Sequence, residues 1–315
     1  MKVVSLFAGC GGLDLGLEKA GHDVIWANDN WEKAAKTYRE NFDNPIEVKD
    51  IENVQEEEVP DCDMIVGGWP CQGFTVANLD RSMEDERNKL YEEMLRIVKS
   101  KKPKFVMAEN VPGILSMADG EVADMITQDF EQVGYSMKYK KLNSANYGVP
   151  QKRKRVIWIG VREDIDIEIE YPDPTHRPSD SEASLKRWTT EENEDKPTWR
   201  TLREAIGDMP EPDEDSDLQN MYGSKHKVKI NGHIGNRKLE WDEPSPTITG
   251  RGEGGGGPVI HPHPELHRRM TVRECARIQS FPDDFTFKGS MTSEYGQIGN
   301  AVPPVLAYHL GKQFP

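Results

Sequence analysis

From residue 2 to residue 160, short β-rich runs and one-sided helical stripes take turns along the chain. The spacing predicts strands over 3–7, 24–27, 64–66, 105–108 and 156–160, and helices over 13–20, 31–41, 87–101 and 122–133. The third helix repeats Leu90, Met94, Leu95, Ile97 and Val98 along one face. A strand that is followed by a helix and then by a second strand must cross back over the sheet. Such alternation therefore predicts an α/β domain with a mostly parallel sheet and helices on both faces. Ligands of such sheets sit outside the carboxyl ends of the strands.

Around Asp164 the character changes. Residues 171–220 are rich in Pro, Asp, Glu and Ser, a glycine cluster follows, and regular structure resumes near Thr271. This predicts a first domain over 1–175 plus 285–315, interrupted by a smaller loop-rich insert over 176–284. The net charge of −15 is unevenly spread. Residues 161–220 hold 7 Lys/Arg against 19 Asp/Glu, whereas 221–315 hold 12 against 9. A nucleic-acid-facing surface outside the acidic run is thus not excluded. No apolar run approaches the roughly 20 residues that span a bilayer. The start, MKVVSLFAGCGG, has no signal-peptide pattern, so a cytoplasmic protein is expected. Its four cysteines (Cys10, Cys62, Cys71 and Cys275) form neither a CxxC pair nor a zinc spacing, which favours reduced thiols.

The chemistry-bearing residues gather at predicted strand ends. FAGCGGLDLG (7–16) follows the first strand, and its glycines let backbone N–H groups approach a ligand at a helix start. It is not a dinucleotide fingerprint, because GxGxxG would need glycine where Asp14 stands. Asp29 ends the second strand and Asp50 the next segment. Carboxylates there suit a ribose hydroxyl and an adenine, hence a nucleoside cofactor without a diphosphate, such as S-adenosylmethionine. Two ordinary helix caps are the plainer alternative. In GGWPCQGFT (67–75), Pro70 restricts the backbone before Cys71. That thiol is a nucleophile, a metal ligand or an inert loop residue. ENVPG puts Glu109 after a buried-looking strand, where a carboxyl can hold or donate a proton. In PQKRKRV, Arg153 and Arg155 alternate onto one face, which suits a base edge, a phosphate or a carboxylate.

Taken in order, FAGCGG, GGWPCQGFT, ENV, NYGVPQKRKR, TVRECARIQSFPDDF and QIGNAVPP resemble the DNA cytosine-5 methyltransferases of the small prokaryotic restriction-modification type. The resemblance covers essentially the whole chain except the variable insert. It implies a Rossmann-like S-adenosylmethionine-dependent methyltransferase domain with a smaller loop-rich target-recognition domain. It also implies that Cys71 adds to C6 of a flipped-out cytosine in double-stranded DNA, with Glu109 at N3 and the 4-amino group. Arg155 would orient the base, supported by Arg153 and Gln151. The implied cofactor residues are Phe7, Gly9, Gly11, Gly12, Leu13, Asp29, Asn30, Asp50, Ile51, Pro70, Leu90, Asn300 and Val302. The family's ribose acid is usually Glu and here is Asp29. Thr75 stands for a common serine, and Trp69 for an often smaller or different residue.

The segment 221–270 is basic and glycine-interleaved, which suits phosphates and base edges. The expected DNA contacts are Gln72, Gln151, Lys225, Lys227, Arg237 and Arg251, with Arg251 at a guanine or in strand support. HPHPELH (261–267) lacks a familiar ligand spacing, so no metal is expected there. Cys62 and Cys275 read as buried structural thiols. A monomer is expected, with a cognate restriction endonuclease sharing the site but no stable complex. The competing readings are a transfer-RNA cytosine-5 methyltransferase on the same scaffold and a DNA-binding homologue that has lost catalysis.

Overall fold

The computed structural model describes residues 1–70, 90–179, 195–212, 217–232, 234–250 and 259–315. Its centre is a seven-stranded sheet. The chain forms β1 (Lys2–Leu6), α1 (Gly12–Lys19), β2 (Asp23–Asp29), α2 (Glu32–Asn41), β3 (Ile46–Val48) and β4 (Met64–Gly67). It continues through α3 (Leu90–Lys101), β5 (Phe105–Asn110), α4 (Glu121–Gln132), β6 (Tyr135–Asn143), the two-residue β7 (Gln151–Lys152) and β8 (Lys154–Arg162). The sheet order is β3-β2-β1-β4-β5-β8-β6. The first five are parallel, and β8 and β6 run antiparallel to their neighbours.

Alternate residues along each strand serve opposite faces. Val4, Leu6, Ile65, Val106 and Ala108 pack towards α3 and α4. Val3, Met64, Val66, Phe105 and Met107 pack towards α1 and the chain's last helix, α8 (Pro304–Gly311). The parallel strands are nearly continuous apolar runs because helices cover both faces. Strands β3 and β6 lie outside the strands that the sequence spacing predicts. Strand β3 is only three residues long, and β6 is an edge strand whose Lys140 and Lys141 are exposed. Lysine-rich edges blunt pairing with other chains and hide the strand's alternation. The expected start of the third helix at residue 87 lies outside the described residues.

Beyond β8 the described insert holds α5 (Leu202–Ile206), the short β9 (Ser245–Pro246), which pairs with β7, and α6 (Val272–Ile278). α7 (Met291–Asn300) and α8 then return to the sheet. A hydrophobic cluster joins Leu202, Ile206, Leu239, Ile248 and Phe285 of this region to Ala35 and Tyr38 of α2 and to Phe42 just past its end. α6 starts where the sequence analysis places it. Thr271 caps it by accepting from the amide of Glu274, whose carboxylate accepts from the amide of Thr271 in return. Its expected apolar face, Val272, Cys275, Ala276 and Ile278, is buried, and so are Arg273 and Glu274. Arg273 is satisfied by the carbonyls of Gln219, Pro282 and Phe285.

Candidate active site

In a parallel sheet all carboxyl ends lie on one edge, and the β3-β2-β1-β4 order sets four of them side by side. The glycine turn leaves β1 there. Phe7 has φ 54°, Gly9 φ 59° and Gly11 φ 89°. The left-handed φ of Phe7 is unusual for a residue with a side chain and is the kind of local strain that gathers at ligand sites. At Gly11 a Cβ would lie 2.3 Å from the Phe42 ring, so nothing larger fits. At Gly9 no atom lies within 4 Å of where a Cβ would stand, so the turn keeps open space above it.

Asp29 ends β2 and ties the turn to α2. One carboxylate oxygen accepts from the Gly9 amide at 2.8 Å and the other from the Trp31 amide at 2.7 Å. Burial nonetheless pushes its pKa up. Asp50 follows β3, is exposed, and accepts from the Asn30 amide group at 3.4 Å. Ile51 is buried beside it, and Leu13 is buried in the first turn of α1. From the chain's end, the Val302 carbonyl lies 2.5 Å from where a Gly12 Cβ would stand, so the last segment seats directly on the turn. Pro70 follows β4 and is exposed. Leu90 is half-buried at the start of α3, and Asn300 is exposed at the end of α7.

β5 brings Glu109 to the same edge. Because β8 is antiparallel to β5, with Asn110 opposite Val156, its first residues also arrive there. Arg155 Nε lies 2.6 Å from Glu109 Oε1, and both side chains are nearly buried, at 11% and 13% exposed. Gly68 makes room: a Cβ there would lie 2.9 Å from Glu109 Oε2. Asn110 donates to the Trp69 carbonyl at 3.3 Å, fixing the chain two residues before Cys71. Cys71 and Gln72 themselves lie outside the described residues. The three cysteines that are described are poor nucleophiles. Burial pushes the thiols of Cys10 and Cys62 up to about 12 and that of Cys275 up as well.

The flanking arginine and glutamine turn inward. Arg153 is fully buried and donates to the Ile248 carbonyl at 2.9 Å, while its Nε and Nη2 find no partner among the described residues. Burial, then the neighbouring Arg155 charge, pushes its pKa down. The structure departs from expectation at Gln151. It too is fully buried, donating to Gln279 and accepting from the Ile248 amide, so its amide is not presented to a ligand. Lys225, Lys227 and Arg237 are exposed, whereas Arg251 lies outside the described residues. Arg268 is instead tied to Glu211 and Glu274. His263, Glu265 and His267 bring three possible ligand atoms within 4.8 Å of one another. Two of these residues are already engaged. His267 contacts Glu211 at 3.2 Å, and His263 Nδ1 takes the Glu265 amide at 3.3 Å.

One group went unnoticed in the sequence. Asp14 is fully buried behind the glycine turn, accepting from Ser5 at 2.6 Å and from Tyr38 at 2.7 Å. Burial pushes it up to about 6. The failed GxGxxG match was its signal, a carboxylate where a glycine would be expected.

This is the frame of an α/β domain whose candidate site residues gather at the carboxyl edge of the sheet. The sequence profile of the C-5 cytosine-specific DNA methylase family matches residues 1–315. The type II methyltransferase M.NgoFVII of Neisseria gonorrhoeae is 39% identical over 99% of this chain and 85% of its own. M.MthTI of Methanothermobacter thermautotrophicus is 36% identical over 99% and 96%. In structure, a prophage-encoded E. coli chain titled as a DNA modification methyltransferase superposes with TM-score 0.75 at 24% identity, covering 99% of this chain and 98% of that one. Dnmt2 methyltransferase of S. pombe gives 0.66 at 18% identity, covering 98% and 97%. The chain belongs to the C-5 cytosine-specific DNA methylase family. It is an enzyme of DNA cytosine methylation, and among its described residues no helix is long and apolar enough to cross a membrane.

Proposed function

We propose that the protein transfers a methyl group from S-adenosylmethionine to C5 of a cytosine extruded from a specific double-stranded DNA site, through a covalent adduct between Cys71 and C6. The observation that carries this reading is the Glu109–Arg155 pair, 2.6 Å apart at the edge where β4 delivers Trp69 and Pro70. Cytosine C5 is a weak nucleophile. Addition of the Cys71 thiolate to C6 makes the ring enamine-like, and the charge that develops at N3 needs a partner. Glu109 supplies it as the acid, donating its proton to N3 while its other oxygen accepts from the 4-amino group, and Arg155 holds Glu109 and the base in register. The cofactor supplies an electrophilic methyl group. Once C5 carries the methyl, water takes the C5 proton, the freed electron pair restores the C5–C6 double bond and the C6–S bond breaks, which returns Cys71 as the thiolate.

The fit of the cofactor rests on the open space above Gly9 and on Asp29 and Asp50 at adjacent strand ends. Phe7, Gly9, Gly11, Gly12 and Leu13 would line it, with Val302 seated on the turn and Asp29, Asn30, Asp50 and Ile51 on the nucleoside side. Pro70, Leu90 and Asn300 would complete it. Arg153 and Gln151 serve as braces rather than contacts. Residues 176–284 would form the target-recognition domain, with Lys225, Lys227, Arg237 and Arg251 towards DNA. The test is direct. Cys71→Ala should bind cofactor and DNA yet leave no methylcytosine by bisulfite sequencing, and undiminished methylation would overturn the mechanism.

A further inference from the structure

Beside Arg155, on the side away from the glycine turn, lies a cleft of about 460 Å³ whose walls include Lys152, Lys154, Arg155, Trp199 and Thr247. None of Lys152, Lys154 and Trp199 figures among the expected DNA contacts. The cleft sits at the seam between the catalytic sheet and the insert. β7 pairs with β9 along it, and Thr247 donates to the Lys152 carbonyl at 2.9 Å. Three cations and one half-exposed aromatic ring therefore share its walls.

The ring is held in place. Trp199 Nε1 donates to Asn146 at 3.0 Å, its backbone amide donates to the Arg177 carbonyl at 2.7 Å, and the Lys152 ammonium lies 5.8 Å from the ring centroid. The cations are not equivalent. Lys152 is paired with Glu243 at 2.8 Å and Arg155 with Glu109, whereas among the described residues no carboxylate lies within 4 Å of the Lys154 ammonium. Lys154 is exposed on the first residue of β8. A fixed aromatic face sharing a cleft with an ammonium that has no carboxylate partner among the described residues is a nucleotide's complement, with stacking for the base and charge for the phosphate.

We propose that this cleft binds the nucleotide flanking the extruded cytosine, with its phosphate on Lys154 and its base against Trp199. The inference rests on the base-extrusion reading above. A cytosine bound at Glu109 has its strand passing Arg155, and the adjoining nucleotide enters the cleft next to it. Extrusion strips the flanking base of a stacking neighbour, and the Trp199 face replaces it.

The experiment measures methylation kinetics on unmethylated genomic DNA, and DNA binding across salt concentrations, for the wild type, Trp199→Ala, Trp199→Phe and Lys154→Ala. Loss of one stacked base should raise KM for DNA in Trp199→Ala roughly five- to a hundred-fold, with kcat at saturating DNA little changed. Trp199→Phe should recover most of that loss. Lys154→Ala should lower the slope of log binding constant against log salt by about 0.9, one phosphate's worth. Should Trp199→Ala not fold, quenching of tryptophan emission by a short single-stranded oligonucleotide decides the matter, because it should diminish in Trp199→Phe. An unchanged KM in folded Trp199→Ala, an unchanged salt slope in Lys154→Ala or undiminished quenching in Trp199→Phe would each overturn the proposal. A wild-type protein that makes no methylcytosine would instead overturn the underlying reading.

Discussion

Glu109 and Arg155 are each within reach of only a little water, and each makes the other's burial tolerable. Replacing Glu109 with Gln keeps the shape but removes the acidic proton proposed to neutralise N3 as Cys71 adds to C6. Methylation kcat should fall by roughly 10²- to 10⁴-fold while cofactor affinity holds, measurable by single-turnover methyl transfer and by calorimetric titration. Asp14 offers a separate test in stability. Its folded pKa of about 6 lies above the ordinary 3.8, so the folded state holds a proton that the unfolded state has released. Its contribution is therefore fully present below about pH 4 and is lost as pH rises through about 6. The move from 3.8 to about 6 corresponds to about 3 kcal/mol. Asp14→Asn should gain stability relative to the wild type as pH rises from 4 to 7, and chemical denaturation at each pH reads the difference. At this scale the sequence was legible where a strand end exposes a reactive type, as at Asp29 and Glu109. It was illegible at Asp14, because Ser5, Tyr38 and the chain's own packing make that environment only once the fold exists.

The elements meet through close backbone contacts. A Cβ on Gly299 of α7 would lie 2.0 Å from the Gly250 amide nitrogen, and one on Gly250 would lie 2.2 Å from the Gly296 carbonyl. The backbone at Gly250 thus lies flush on the helix that ends at Asn300. Gly299→Ala should force the two backbones apart at a cost of about 1–3 kcal/mol. Its signature would be a lowered Tm together with a loss of DNA affinity larger than the loss of cofactor affinity. Strands and helices with strong periodicity, such as α3 and β5, could be read from the sequence. β6 could not, since half its residues face water as an edge strand must. Nor could the reversal of β8, because strand direction is decided by the connection that precedes it and not by the strand's own residues. That reversal is what delivers Arg155 to Glu109.

For the whole molecule, the acidity resides mainly in residues 161–220, while 221–315 carry 12 Lys/Arg against 9 Asp/Glu. A duplex should therefore be attracted locally and repelled globally. DNA affinity should fall steeply between 50 and 200 mM salt, and Lys225→Ala with Lys227→Ala should flatten that dependence. A salt-independent affinity, by filter binding, would contradict a phosphate-reading surface in the insert. The alternation of strands and helices made the sheet legible from the start. The insert's attachment was not, since its cluster is shared with α2 and belongs to neither segment alone.

The course of β8 has one more consequence. It starts at the reactive edge with Arg155 and leaves the sheet at Arg162, near the start of β5 on the opposite side. Everything that follows departs from the far end of the sheet. Changes of chain length beyond Arg162 begin at that far end and should leave in place the register that holds Arg155 against Glu109, provided that Tyr171 keeps its bond to the Ile157 carbonyl of β8. Such a layout would separate the edge proposed to make the bond from the segment proposed to choose where. A lineage, or an engineer, could exchange the second while inheriting the first intact.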